Sequence, residues 1–278
     1  MRFRPLFLFL VIALLCGAGR LSAATTIPFQ FRDGMIWMKV SVPGKSETLD
    51  FLLDSGAGVS VVDVAAARRV GWALGDRKTV QGVHGTAAAY RVRGVSASTG
   101  GAAIPGALLA IDLSAPSGAC HQRIDGLLGA DFFRDRIVQI DYAAQRVRLL
   151  QRGELDETNC EIVPLAARND AWCARVSVNG NGAEWMRVDT GCSTALEWVV
   201  SGVKANRPGV TTLGLNAGSV RECCTEVQLG AKRLAAVKTG IHRSPMFAGE
   251  AGLIGNGLLS RFTVTIDVAK RRCLLGGR

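Results

Sequence analysis

A chain of 278 residues with 48% hydrophobic content is too long and too apolar for a disordered tail or a small disulfide-held scaffold. Its net charge of +10 is scattered rather than blocked, as at Arg146 and Arg148. Such spacing marks a solvated strand face and argues against a nucleic-acid groove. The histidines His84, His121 and His242 stand far apart and no cysteine pair has C-x-x-C spacing, so the sequence gives no basis for a zinc site.

The first segment in chain order carries Arg2 and Arg4, an apolar run over residues 6–16, and small residues at Leu21-Ser22-Ala23-Ala24. This is the pattern of an export leader. The run falls short of the roughly 20 apolar residues of a membrane span. Residues 1–24 are therefore expected to be a signal peptide that sends the chain to the periplasm or outside the cell. Loss of Arg2, Arg4 and Arg20 with it lowers the charge from +10 to +7. Seven cysteines follow: Cys120, Cys160, Cys173, Cys192, Cys223, Cys224 and Cys273. Export favours disulfides, and an odd count leaves one thiol over.

The segments after the leader read mostly as strands. Residues 35–42 alternate apolar and polar side chains. Phe51-Leu52-Leu53 leads into Asp54-Ser55-Gly56. Residues 61–70 are rich in alanine and predict a helix. Residues 79–92 predict a hairpin with Gly82 and Gly85 at its tip. Gly126-Leu127-Leu128-Gly129 follows, and residues 137–150 predict a closing hairpin. After the polar run 153–159 the order recurs. Residues 171–178 predict a strand, and Trp185-Met186-Arg187-Val188 leads into Asp189-Thr190-Gly191. Residues 196–203 predict a weaker counterpart helix, and residues 211–223 a second glycine-bearing hairpin. Gly252-Leu253-Ile254-Gly255 and a hairpin over 262–275 complete the set.

The recurrence is an internal repeat. Residues 27–42 run without a gap against 163–178, with Pro28 on Pro164 and Arg32 on Arg168. Deleting one residue brings Asp54 onto Asp189. Residues 125–149 then lie over 251–275 at a constant offset of 126, with Ile140-Asp141 on Ile266-Asp267. Two halves follow, 25–153 and 158–278. Short strands with regular turns argue for an all-β barrel in each, with one short helix per half.

The repeat makes the two acidic loops equivalent positions, and paired carboxylates carry a known chemistry. Like charges a few ångströms apart cannot both ionise easily, so the pair holds one proton. One member can take a proton from an attacking water while the other donates to a carbonyl oxygen. Gly56 and Gly191 let the backbone turn behind each acid. Ser55 and Thr190 supply hydroxyls able to bond across to the opposite loop. Apparent pKa values belong to the pair, so acid and base are not assigned to either residue.

The run Phe51 to Ser60 resembles the active-site loop of retropepsin-like bacterial aspartic peptidases, and Ile124 to Phe133 resembles their second signature. Val188-Asp189-Thr190-Gly191 matches as well. Cys192 stands where Ala or Ser is usual, and Asn256-Gly257 stand where Ala130-Asp131 stand in the first half. The resemblance implies the acid protease fold: two closed β-barrel lobes related by a pseudo-two-fold axis, both in one chain as in pepsins. It implies an exported endopeptidase with Asp54 and Asp189 as catalytic residues, acting as a monomer on peptide or protein, with no metal or cofactor and no membrane insertion after leader cleavage. A non-catalytic peptide-binding protein on the same fold is the alternative, and a structural envelope protein a third reading. The family's substrate-covering flaps would here present Gly82, His84 and Gly85, and Gly214 and Asn216. Cys192 is expected to be either a small buried residue or the partner of Cys223 or Cys224, and Cys160 to pair with Cys273.

Overall fold

The computed structural model describes residues 24–82, 85–200, 207–211 and 218–277. The first half begins with β1 (Thr25–Pro28), β2 (Gln30–Arg32), β3 (Met35–Ser41), β4 (Thr48–Leu53), β5 (Val61–Asp63) and α1 (Val64–Val70). It continues with β6 (Ala73–Gly82), β7 (Gly85–Arg93), β8 (Ser98–Thr99), β9 (Ala102–Ala103), β10 (Leu109–Ile111) and α2 (Ser114–Ala119). Strand β11 (Gly126–Leu128), α3 (Ala130–Phe133), β12 (Ile137–Asp141) and β13 (Arg146–Leu150) close it. The second half comprises β14 (Cys160–Arg168), β15 (Ala171–Val178), β16 (Glu184–Val188), β17 (Leu196–Val199), β18 (Arg207–Thr211), β19 (Gly218–Leu229) and β20 (Lys232–His242). It ends with β21 (Gly252–Ile254), α4 (Asn256–Leu259), β22 (Thr263–Asp267) and β23 (Arg272–Gly276).

Each half wraps a β-barrel, as the alternating patterns predict. In the second half β15, β16, β21, β17, β20 and β19 form a closed ring, with β19 returning to β15 through Val178↔Val227 and Val176↔Leu229. The first half repeats the order β3, β4, β11, β5, β10, β7. Its closing strand is interrupted. Strand β7 stops at Arg93, Gly94 takes a φ of 74°, and the chain re-enters as β8 to meet β3 at Ser41↔Ser98. One 12-residue strand, β19, spans both stretches in the second half.

A six-stranded antiparallel sheet joins the lobes in the order β1, β13, β12, β22, β23, β14. At its centre β12 pairs with β22, with Ile137 opposite Asp267 and Asp141 opposite Thr263. The repeat offset of 126 makes Gln139 the equivalent of Thr265, and these two residues are direct partners in the ladder. The pseudo-two-fold axis therefore passes between them, where Gln139 Nε2 donates to Thr265 Oγ1 at 3.2 Å. Val138, Ile140, Val264 and Ile266 are all fully buried beside the axis, which places the joint inside the main core. No described helix is long and apolar enough to cross a membrane.

The helices differ from expectation. The predicted helix at residues 61–70 is a short strand followed by α1, because Asp63 is the cap. Its Oδ1 accepts from Ala65 N at 2.8 Å and Ala66 N at 3.0 Å. Gly71 ends α1 with a φ of 83°. The counterpart at residues 196–203 is not helical where it is described: Leu196–Val199 is strand β17. By strand register Val199 stands where Asp63 stands, and valine cannot cap. The first half also carries α2 and α3, so one helix per lobe holds only for α4 among the described residues.

The expected disulfides are not formed. All seven described cysteines are free. Strands β14 and β23 do meet, but Cys160 lies opposite Gly276 and Cys273 opposite Val163. Three residues of offset separate the cysteines by about 10 Å, beyond the roughly 7 Å that a disulfide can bridge. Cys192 is the small buried residue of the two alternatives. Burial pushes the thiols of Cys173 and Cys273 up to about 12. Alkylation of the native protein near neutral pH is expected to label exposed Cys224 first and to spare Cys173, Cys192 and Cys273. Unfolding without reductant should then expose all seven to the reagent, as counted by intact mass.

Candidate active site

Asp54 and Asp189 sit where β4 and β16 run out beneath the joint between lobes. Each loop is fixed to a Gly-apolar-apolar-Gly strand that runs parallel behind it. Asp54 N donates to Leu128 O at 2.8 Å and Asp189 N to Ile254 O at 2.9 Å. Ala130 N returns a bond to Ala57 O at 2.7 Å, and Asn256 N to Cys192 O at 2.8 Å. Phe51, Leu52 and Leu53 are buried on both faces, which explains their unbroken apolar run.

The loops exchange hydrogen bonds across the axis. Ser55 N donates to Thr190 Oγ1 at 2.9 Å, and Thr190 N to Ser55 Oγ at 3.1 Å. Ser55 Oγ donates to Val188 O at 2.7 Å, and Thr190 Oγ1 to Leu53 O at 2.8 Å. Both hydroxyls are fully used and buried. The backbone turns at Gly56 and Gly191 as expected, with Ala57 N donating to Asp54 O and Cys192 N to Asp189 O, each at 3.2 Å, but the turn is not what requires glycine. Neither has a positive φ. A Cβ on Gly56 would lie 2.3 Å from Asp189 Cγ, and one on Gly191 would lie 2.3 Å from Asp54 Cγ. Glycine is required because the opposite carboxyl occupies that space.

The two carboxyls face one another across the axis, each lying against the other loop's glycine. Burial raises both above the ordinary aspartate value. Asp189 is raised furthest, because the charge of Asp54 adds to its burial. Asp54 is held back by bonds from Ala57 N and Gly56 N, each at 3.0 Å. Asp189 Oδ1 receives Gly191 N at 2.8 Å.

The supports behind the loops differ between lobes. In the first, Asp131 Oδ1 accepts from Ser60 N at 2.9 Å, and Ser60 Oγ accepts from Gly129 N at 2.9 Å. In the second, Gly257 replaces that aspartate and Asn256 does the tying. Asn256 Nδ2 donates to Thr190 O at 2.7 Å and to Gly34 O in the first lobe at 2.8 Å, while Asn256 Oδ1 accepts from Tyr142 Oη at 2.8 Å. Cys192 Sγ contacts Thr194 Oγ1 at 3.1 Å, and Thr194 Oγ1 donates to Glu197 Oε1 at 2.6 Å. His242 Nε2 meets Glu197 Oε2 at 2.5 Å. The histidine thus lies at the far end of this series, not beside the thiol. Burial and the nearby Asp189 push the Cys192 thiol far up, which keeps it protonated and unsuited to attack.

The expected flap positions are partly described. Strands β6 and β7 form a hairpin whose last described pair is Gly82↔Gly85, with His84 outside the described residues. Tyr90, on β7, packs against the core of its lobe. Strands β18 and β19 pair up to Thr211↔Gly218, so Gly214 and Asn216 also lie outside the described residues. Among the described residues no cluster of three or more His, Cys, Asp or Glu is placed to hold a metal ion.

Sequence reading missed Arg187 and Glu250. Arg187 is fully buried two residues before Asp189, and its Nη1 donates to Gly56 O at 2.6 Å. The available signal was a lone arginine in an apolar run whose repeat partner is Leu52.

The hydroxyl exchange predicts a graded loss. Thr190→Val leaves Ser55 N and Leu53 O buried without partners, at a cost of about 2 to 5 kcal/mol. Thr190→Ser keeps both bonds and should cost much less. Denaturant midpoints at constant m-value compare the two.

Residues 38–132 match the family model described as aspartyl protease. That stretch carries the first acidic loop and Gly126-Leu127-Leu128-Gly129. No curated protein matches the chain. Among solved structures, the aspartic proteinase from Irpex lacteus matches with a TM-score of 0.58 and 12% identity, over 92% of this chain and 97% of that one. At this identity the likeness bears on fold, and it extends through the second lobe, which the family model does not reach. The first-lobe match, the duplicated loops and the two-lobed architecture agree: the chain has the acid protease fold, and its first lobe matches the aspartyl protease family.

Proposed function

We propose that the chain is an exported aspartic endopeptidase in which Asp54 and Asp189 activate water against a peptide carbonyl. The observation that carries this reading is the pair itself: the buried carboxyl of Asp189 and the partly buried carboxyl of Asp54 face each other, each given room by the other loop's glycine. Burial favours a pair that holds one proton over a pair that holds none. One carboxylate takes a proton from water as its oxygen bonds to the carbonyl carbon. The other carboxyl donates its proton to the carbonyl oxygen, which yields a tetrahedral diol. On collapse the C–N bond breaks and the nitrogen takes the proton first removed from water. A diol hydroxyl returns a proton to the second carboxylate, so both acids recover their starting states. This chemistry calls for no metal or cofactor.

Both loops come from one chain, which supports a monomer with lobes over 25–153 and 158–278. The hairpin of β6 and β7, ending at Gly82 and Gly85, is proposed as the flap over an extended peptide. His84, Gly214 and Asn216 are proposed to border the same cleft. The leader pattern at residues 1–24 supports export to the periplasm or outside the cell.

Cleavage of a diverse peptide mixture from acidic to neutral pH tests the reading. Asp54→Asn and Asp189→Asn are each expected to lower kcat by about a thousand-fold or more. An inert wild type that binds a statine-containing peptide would assign the fold to peptide binding instead.

Stability reads the same pair without turnover. Because the folded-state values are raised, the site's contribution is fully present below the ordinary value of 3.8 and is lost as pH rises through the folded values. Asp189→Asn removes the raised group, so its unfolding free energy should exceed wild type at neutral pH. Each pKa unit of elevation corresponds to about 1.4 kcal/mol, and the difference should shrink toward pH 4, within reach of that 3.8. Urea unfolding at several pH values measures it.

A further inference from the structure

The two lobes treat one face of their barrels differently. In the first, Trp37, Leu52 and Ile124 pack in a small apolar cluster. Strand register identifies their counterparts. Cys173 lies opposite Arg187 as Trp37 lies opposite Leu52, and Arg187 pairs with Leu253 as Leu52 pairs with Leu127. Glu250 precedes Gly252 by the same two residues as Ile124 precedes Gly126. The second lobe therefore has Cys, Arg and Glu where the first has Trp, Leu and Ile. The acidic residue also moves by one position. Asp125 faces Arg69 at 2.7 Å and Arg123 at 3.0 Å, whereas Glu250 stands one residue earlier and turns to the other face, toward Arg187.

This ion pair is built into the interior. Side-chain exposure is 2% for Arg187 and 1% for Glu250. Arg187 Nε and Nη2 donate to the two Glu250 oxygens at 2.8 and 2.7 Å. The guanidinium lies 3.4 Å from the Phe247 ring centroid, and Asn169 Nδ2 donates to Glu250 Oε1 at 2.7 Å. Nη1 reaches across to the first lobe and donates to Gly56 O. That carbonyl shares a peptide unit with Ala57 N–H, which donates to Asp54 Oδ1. A charged donor on the carbonyl oxygen polarises the peptide and strengthens its N–H as a donor. Leu52, at the equivalent position, can give Asp189 no such bond.

We propose, on the reading that Asp54 and Asp189 are the hydrolytic pair, that Arg187 is a positioning residue that breaks their two-fold symmetry. Held by Glu250, it clamps the first acidic loop to the second lobe and leaves the shared proton on Asp189. Asp54 is then the member that takes the proton from water. Burial raises both carboxyls and the Arg187 charge lowers both, so the difference between them rests on geometry: two backbone N–H groups reach Asp54 Oδ1 and one reaches Asp189 Oδ1. The other ionisable groups around the guanidinium are Glu250 from the loop before β21, Cys173 on β15 and Arg168 on β14.

The test is the double variant Arg187→Met/Glu250→Leu, which exchanges the ion pair for apolar residues of similar size, a change that folds tolerate well. Both limbs of its pH–rate profile should move up by about one pH unit. Glu250→Gln leaves the arginine uncompensated and should move them down. Carbon-13 NMR titration of aspartate-labelled protein reads the same shifts in the carboxyls whether or not peptide is cleaved. A folded double variant with unchanged limbs and unchanged titration overturns the proposal. If the double variant does not fold, the Glu250→Gln titration decides, and the absence of a downward shift overturns it. An inert wild type whose carboxyls shift as stated would sink the hydrolase reading while supporting the role of Arg187.

Discussion

Two carboxyls buried against one another are unfavourable in almost any fold, because burial and mutual repulsion both oppose their charge. Much of this chain's architecture answers that problem. The acids approach only because Gly56 and Gly191 have no side chains, since a Cβ on either would overlap the opposite carboxyl. Ser55 and Thr190 each use a hydroxyl twice, as acceptor from the facing loop's N–H and as donor to a strand carbonyl. These four bonds set the spacing of the loops independently of the acids' ionisation. The pair is thus held by groups that do not titrate, and its charge is free to follow the chemistry.

Loops at a symmetry axis need lobes whose relative placement is fixed. The central sheet supplies this through the β12–β22 ladder, where Gln139 meets its own repeat equivalent, Thr265. Four fully buried β-branched residues flank that point, so sliding by one residue would turn Val138, Ile140, Val264 and Ile266 out of the core. Asn256 adds a second tie. It joins Thr190 in the acidic loop, Gly34 in the opposite lobe and Tyr142 next to the central sheet through one side chain. What reads in sequence as decay of the Ala130-Asp131 motif is a different means of fixing the second loop.

The architecture was legible where local pattern and repeat agreed. The constant offset of 126 over residues 125–149 is the same offset that the ladder register gives, and the Gly-apolar-apolar-Gly segments are strands behind their loops. The misses have physical causes. A helix was expected at residues 196–203 because residues 61–70 suggested one, but α1 depends on the Asp63 cap and Val199 supplies none. Proximity of β14 and β23 was foreseen, while the disulfide failed on register, which composition does not encode. The turns at Gly56 and Gly191 were foreseen, but not the need for glycine there, because the atom that excludes a side chain belongs to the other half of the chain. Arg187 was passed over for the same reason: its partners are Glu250, far along the sequence, and Gly56 across the axis.

A duplicated site begins with both acids equal, yet hydrolysis requires one to hold the proton and the other to lack it. Two identical chains cannot encode that difference in sequence. A fused chain can, because each half mutates separately. The departures from symmetry here are concentrated in the second lobe: Cys192 for Ala57, Asn256 for Ala130, and the Arg187–Glu250 pair for Leu52 and Ile124. The Ser55–Thr190 exchange is kept, and Arg187 and Asn256 add contacts that cross to the first lobe. The less recognisable lobe is therefore the one that makes the surroundings of the two acids distinct, with Asp54 Oδ1 bonded by two backbone N–H groups and Asp189 Oδ1 by one.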